Sequence, residues 1–199
     1  NFNLNLNNFK KLDKLFKQNK FRIVINCAAI VDINYCEKKK NYSSIINTKF
    51  VKYLSKKSKK YNFKLVQIST DHVYKGDKKV PNKENNKTFS INNYAKTKIK
   101  AEKYLLKLKK FLIIRTNFTG KKKNSFIDWL INNIRQKNHI YLFNDMYTST
   151  LDVNTCAKLI IKLSTINSKG IFNLGSGNMI TKEKFAINVA KKLGKKINY

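Results

Sequence analysis

The sequence predicts an α/β protein built on a doubly wound parallel sheet, and three observations carry that prediction. Four apolar runs rich in branched residues occur at Phe21–Ala29, Phe63–Ser69, Phe111–Arg115 and Ile171–Leu174. Near-continuous hydrophobicity of this kind suits strands covered on both faces. Between the runs lie segments with helical spacing, so strand and helix alternate as a parallel sheet requires. The second run ends in the polar residues Ser69, Thr70 and Asp71, and the carboxyl ends of strands in such a sheet line the ligand crevice.

The elements follow in order. A first helix fits Phe9–Gln18, and the apolar positions Tyr42, Ile45, Ile46, Phe50, Tyr53 and Leu54 mark one face of a helix running to Lys60. Lys75–Asn93 is polar, contains Gly76 and Pro81, and reads as a long loop. Ala101, Tyr104, Leu105 and Leu108 mark the next helix, and Ile127, Leu130, Ile131 and Ile134 another, which also carries Trp129, read as packing rather than as a stacking platform. Helices also fit Val153–Leu163 and Lys182–Leu193, the latter with Thr181 as N-cap and Glu183 in its first turn. A chain of 199 residues with 42% hydrophobic content closes one substantial core, so a single domain over 1–199 is expected, with 117–199 contributing to a smaller C-terminal lobe.

Charge and composition narrow the class. The formal charge of +32 raises the prospect of a polyanion partner. Only three of the 43 basic residues are arginine, however (Arg22, Arg115 and Arg135), and arginine is the residue that recognises phosphates and guanine edges in bidentate fashion. Lysine spread over nearly every predicted helix, with many Asn and Ile, reads as a compositional bias and a solvated coat; no specific nucleic-acid partner is expected. No run approaches the ~20 apolar residues of a membrane span, no membrane association is expected, and a cytoplasmic location follows. Cys27, Cys36 and Cys156 form no CxxC pair and read as reduced, mostly buried thiols. His72 and His139 lack ligand-spaced partners, so no metal is expected; His72 reads as a crevice-edge residue and His139 as surface.

The strongest chemical signal is Tyr94 followed by Lys98, opening a helix after the long loop. Four residues apart on a helix, the two side chains share a face. An ammonium beside a phenol lowers the phenol's pKa toward the working range of a proton donor to a carbonyl. The spacing alone occurs by chance in so lysine-rich a chain; the polar end of the second strand supplies the context, with hydroxyls placed to bond a developing oxyanion. Asn26–Ala29 ends the first strand in small residues that let a flat cofactor approach, although helix packing accounts for them equally well.

Taken together, Asn26 to Ala29, Ser69 to Tyr74 followed by Gly76, Tyr94 to Lys98 with Glu102, Arg115-Thr116, Asn144-Asp145 with Tyr147, and Gly170 to Leu174 occur in the order seen in the dTDP-4-dehydrorhamnose reductases. The chain resembles that family of extended short-chain dehydrogenase/reductases over essentially its whole length. The resemblance implies a Rossmann-like fold, NADPH or NADH as cofactor, and reduction of a nucleotide-linked 4-keto-6-deoxy sugar. It implies that Tyr94 donates the proton, that Lys98 holds the nicotinamide ribose and tunes Tyr94, and that Thr70 bonds the carbonyl. Asp71 and Phe118 would contact the nucleotide-sugar substrate, the latter where the family carries a tryptophan. Ala28, Ala29, Ile30 and Ser69, with Tyr94 and Lys98, would line the cofactor. Asn47 resembles a family asparagine near the active site, while a solvent-facing mid-helix asparagine is the alternative. The resemblance also allows a homodimer.

Two departures stand beside these matches. All six glycines lie from Gly76 onward and none forms a GxGxxG turn, so the expectation is an upstream strand, glycine-rich turn and helix of about 30 residues or more, which would also carry the selector between NADH and NADPH. Thr150-Leu151 replaces the family's Pro-Thr pair. Two other function classes remain: a non-catalytic sugar-nucleotide-binding or regulatory subunit, and a nonspecific polyanion-binding protein.

Overall fold

Alternate residues of the central strands point to opposite sides, and both sides find apolar partners. In the computed structural model, which describes residues 6, 9–76, 80–120 and 125–199, four parallel strands form the main sheet in the order β1 (Ile23–Asn26), β2 (Lys64–Ile68), β3 (Phe111–Thr116) and β7 (Gly170–Leu174). The register is regular, with Val24 opposite Leu65, Leu65 opposite Phe111 and Ile113 opposite Ile171. Phe63, Leu65, Phe111 and Ile113 pack against α1 (Phe9–Gln18), α4 (Phe50–Tyr61) and α5 (Asn93–Leu105). Val66, Leu112 and Ile114 pack on the other face against Cys156 and Ile160 of α7 (Val153–Thr165). Helices therefore cover both faces, as the runs of branched residues required. Among the described residues the strand order advances in one direction without reversing.

Several local features differ from the sequence expectation. A short helix α2 (Ile33–Lys38) forms where none was expected, and Asp32 caps it by accepting from the Tyr35 amide at 2.8 Å. The expected continuous helix from Tyr42 is broken into α3 (Lys40–Ser44), a π-helical turn over Ile45–Lys49, and α4. Such turns concentrate at functional sites. Cys36 and Cys156 are buried free thiols, as read from the sequence, but Cys27 is exposed.

A second, smaller core lies apart from the sheet. Leu130 and Ile134 of α6 (Phe126–Gln136) meet Ala186 and Ala190 of α8 (Lys182–Lys192) and Ile140. Thr181 caps α8 as expected, accepting from the Lys184 amide at 3.1 Å. Two-stranded pieces tie this lobe on: β4 (Phe118–Thr119) pairs with β6 (Leu151–Asp152), and β5 (Tyr147–Thr148) pairs with β8 (Ile180–Thr181). Among the described residues no helix is long and apolar enough to cross a membrane.

Candidate active site

The site grows from the carboxyl end of β2, where the chain leaves the sheet and turns. Thr70 caps a 3-10 turn at Asp71–Val73, its hydroxyl accepting from the His72 amide at 3.2 Å. Opposite, Asn92 caps α5 by accepting from the Ala95 amide at 2.8 Å, which starts the helix so that Tyr94 sits in its first turn. Both caps satisfy amides that helix geometry leaves open. They bring Tyr94 against Thr70, and the ring of His72 packs edge-on to Tyr94 with centroids 6.0 Å apart.

Burial pushes the Tyr94 phenol above its ordinary pKa; the hydrogen bond with Thr70 acts the other way, and the Asp71 carboxylate adds to the rise. The group acting against that rise is Thr70, where the sequence expectation put Lys98. Lys98 is only 3% exposed, and its ammonium donates to the Ile68 carbonyl at 2.6 Å. Burial lowers its pKa to about 8, with Glu102 and then Cys27 acting to raise it.

Ser69 also differs from expectation. Its buried hydroxyl turns inward and donates to Glu102 Oε1 at 2.5 Å rather than facing the crevice. Glu102 is held in turn by Arg115, with Nη2 to Oε2 at 2.7 Å and Nε to Oε1 at 3.2 Å. Arg115 Nη1 reaches the Tyr74 hydroxyl at 2.6 Å and the Glu84 carbonyl at 3.1 Å. Glu102, Arg115 and Tyr74 carry part of the family resemblance in the sequence but no role there. The available signal was a charged residue closing an otherwise apolar strand, which in a covered sheet demands a buried partner.

Ala28, Ala29 and Ile30 form the turn after β1, and Asn47 fixes it. The Asn47 amide accepts from the Ile30 N–H at 2.8 Å, donates to the Ile30 carbonyl at 2.9 Å and reaches Thr97 Oγ1 at 3.2 Å. At 1% exposure Asn47 is interior, which rules out the solvent-facing alternative. The π-helical turn presents it inward, and it links the β1 turn to α5 at the residue before Lys98.

Asp71 and Phe118 open toward the lobe. Asn117 donates to both Asp71 Oδ2 and Thr148 Oγ1, each at 3.1 Å, and so bridges sheet and lobe. A cavity of about 380 Å³ lies on one side, with Asp71, Tyr74, Arg115, Asn117 and Asn173 in its walls. A second, of about 240 Å³, is walled by His72, Asn117, Phe118, Phe126, Lys182 and Phe185. Phe118, 47% exposed, belongs to the second cavity and joins the Tyr94 cluster through His72. Trp129 stacks on Phe126 at 5.8 Å and remains partly exposed, and His139 is on the surface.

The family model described as the RmlD substrate binding domain matches residues 2–198. The chain belongs to that family. Within the RmlD family it is 25% identical over 182 residues to the dTDP-4-dehydrorhamnose reductase of Salmonella typhimurium, covering 86% of this chain and 61% of that one. It is 26% identical over 174 residues to the spore coat polysaccharide biosynthesis protein SpsK of Bacillus subtilis, with the same coverages. The crystal structure of a dTDP-4-dehydrorhamnose reductase from Bacillus anthracis in complex with NADP superposes with a TM-score of 0.89 at 25% identity, over 98% of this chain and 70% of that one. A Clostridium acetobutylicum dTDP-4-dehydrorhamnose reductase ortholog gives 0.90 at 26% identity, with the same coverages. The chain thus spans about 61% of the length of these curated relatives, and its fold is the Rossmann-like fold of the RmlD reductases.

Proposed function

We propose that the protein reduces a nucleotide-linked 4-keto-6-deoxy sugar with NADPH or NADH, and that this chain supplies its proton-transfer residues. The observation that carries the reading is the meeting of Tyr94 with Thr70 and Asp71 at the end of β2, with Lys98 buried one turn along α5. The names of the RmlD relatives and the NADP bound to the Bacillus anthracis enzyme support it.

The chain itself tests the fit of a dinucleotide. The half-buried Ala28 and Ala29 leave the backbone approachable, and a buried ammonium at Lys98 suits ribose hydroxyls. These residues, with Ile30, Tyr94 and the backbone of Ser69, would hold the nicotinamide-ribose end. The turn between β1 and α2 contains no glycine, so the fit is to that end and not to the pyrophosphate. When bound, the dinucleotide supplies a hydride to the carbonyl carbon.

The chain's residues do the rest. Tyr94 delivers a proton to the carbonyl oxygen, and its raised pKa keeps that proton in place at neutral pH. Thr70 bonds the same oxygen. Asp71 and Phe118 face the sugar nucleotide, and the lobe within 117–199 supplies further walls of its pocket. Because burial lowers the Lys98 pKa to about 8 and the reading needs Lys98 charged to hold the ribose, turnover should decline as pH rises through that value. In the intact protein, Tyr94→Phe should lower turnover of such a substrate roughly 10²–10⁴-fold with little change in affinity. Unchanged turnover would sink the proposal, whereas tight binding of the sugar nucleotide without turnover in the unaltered protein would favour a non-catalytic subunit.

A further inference from the structure

Two consecutive residues at the end of β2 are gripped by two residues one turn apart on α5. Lys98 donates to the Ile68 carbonyl at 2.6 Å, and Glu102 accepts from the Ser69 hydroxyl at 2.5 Å. From the third side, Arg115 of β3 forks onto the Glu102 carboxylate, while the Ser69 amide donates to the Ile114 carbonyl at 2.7 Å. Both ionic partners are buried. Burying such a pair costs desolvation that its attraction repays only with good geometry, and it is no guarantee of net stability. A pair kept at that cost beside a buried lysine calls for a role in arranging the site.

We infer that Glu102 is a positioning residue, which sets α5 against the end of β2 and so holds Lys98 in its buried place at the Ile68 carbonyl. The inference rests on the reading of this site as a reductase centre only for its effect on turnover. Glu102 follows Lys98 by four residues on one helical face and carries the one carboxylate of α5. It is also the largest influence opposing the desolvation of Lys98. The other titratable group acting on Lys98 is the Cys27 thiol, from the β1 turn. Asp71 of the 3-10 turn and Cys36 of α2 act on Tyr94. Asn47 and Thr48 of the π-helical turn face Thr97 and are uncharged. Arg115 stands behind Glu102 and is occupied by it.

The experiment uses the intact protein with 13C-labelled lysine side chains, the Lys98 signal being assigned by its loss in Lys98→Met. In Glu102→Gln the Lys98 titration should move to lower pH by about one unit, while Glu102→Asp should hold it near its original place. Because Glu102→Gln strands the Arg115 charge, a double variant with Arg115→Met removes both charges and provides a second test. The decline of turnover at high pH should move with the Lys98 signal in each folded variant. An unmoved Lys98 titration in a folded variant lacking the carboxylate overturns the inference. A Lys98 shift in a protein that never turns over a 4-keto sugar nucleotide supports it while removing the reductase reading, so the two failures are distinguishable.

Discussion

The carboxyl edge of the sheet and the α6–α8 lobe are built on opposite plans. Among the described residues, fourteen of the sixteen buried polar or charged residues precede Asn117, and only Thr148 and Ser164 follow it. The sheet edge is held by directional bonds between residues far apart in sequence: Asn26 to Gln67 at 2.8 Å, Asn47 to Ile30, Ser69 to Glu102 and Arg115 to Glu102. The lobe core is apolar, with ring contacts of Phe126 to Trp129 and Phe185 beside it, and leaves Phe118, Phe126 and Trp129 partly in solvent. Directional bonds in a low-dielectric interior fix atoms to fractions of an ångström, whereas apolar contacts tolerate sliding. The difference teaches where geometry is specified and where it is left adjustable: the proposed proton transfer would need the first, and a ligand-binding lobe can use the second.

Variants can break this contrast at either end. The largest effect is expected from Arg115→Met, which strands the buried Glu102 carboxylate; urea unfolding should show a loss of about 3–5 kcal/mol. Leu130→Ala should cost about 3 kcal/mol through the cavity it leaves in the lobe. Hydrogen exchange should find that loosening confined to α6 and α8 while the α5 amides stay protected. Loss of protection in α5 as well would mean that the two regions form one cooperative unit. Asn47→Ala leaves the Ile30 N–H without its partner and its carbonyl with only the Cys36 thiol, for about 1–3 kcal/mol, and should weaken dinucleotide binding more than sugar-nucleotide binding in calorimetric titrations. The smallest effect sharpens the lobe's side: Thr181→Ala removes the α8 cap for about 1 kcal/mol and should lower the melting temperature without altering the Tyr94 cluster.

Much of the sheet was legible in the sequence because covered strands leave unbroken apolar runs, and Phe111–Thr116 is buried throughout. Helices with clear apolar stripes were equally plain, and α1 spans Phe9–Gln18 in both readings. The polar interior was less legible. Nothing in the spacing of Ser69 distinguishes a hydroxyl facing a crevice from one turned toward Glu102, since that is decided by where α5 crosses the strand end. Lys98 was visible beside Tyr94, but its anchoring at the Ile68 carbonyl depends on the depth of α5 against the sheet. The short β4, β5, β6 and β8 have two residues each, too few for periodicity to register.

The π-helical turn at Ile45–Lys49 has a consequence for how this chain tolerates length changes. A wider turn accommodates one residue more than the α-helical path, in the manner of an insertion absorbed without a loop. Deleting a single residue there would restore the α-helical path and leave α3 and α4 nearly in phase, while removing the bulge that turns Asn47 inward. Asn47 would then swing off the Ile30 backbone, although composition and hydrophobic pattern would hardly change. Among homologues, a one-residue gap at this point would therefore mark a protein with a differently held β1 turn, and alignments of this segment carry functional information in their spacing as well as in their letters.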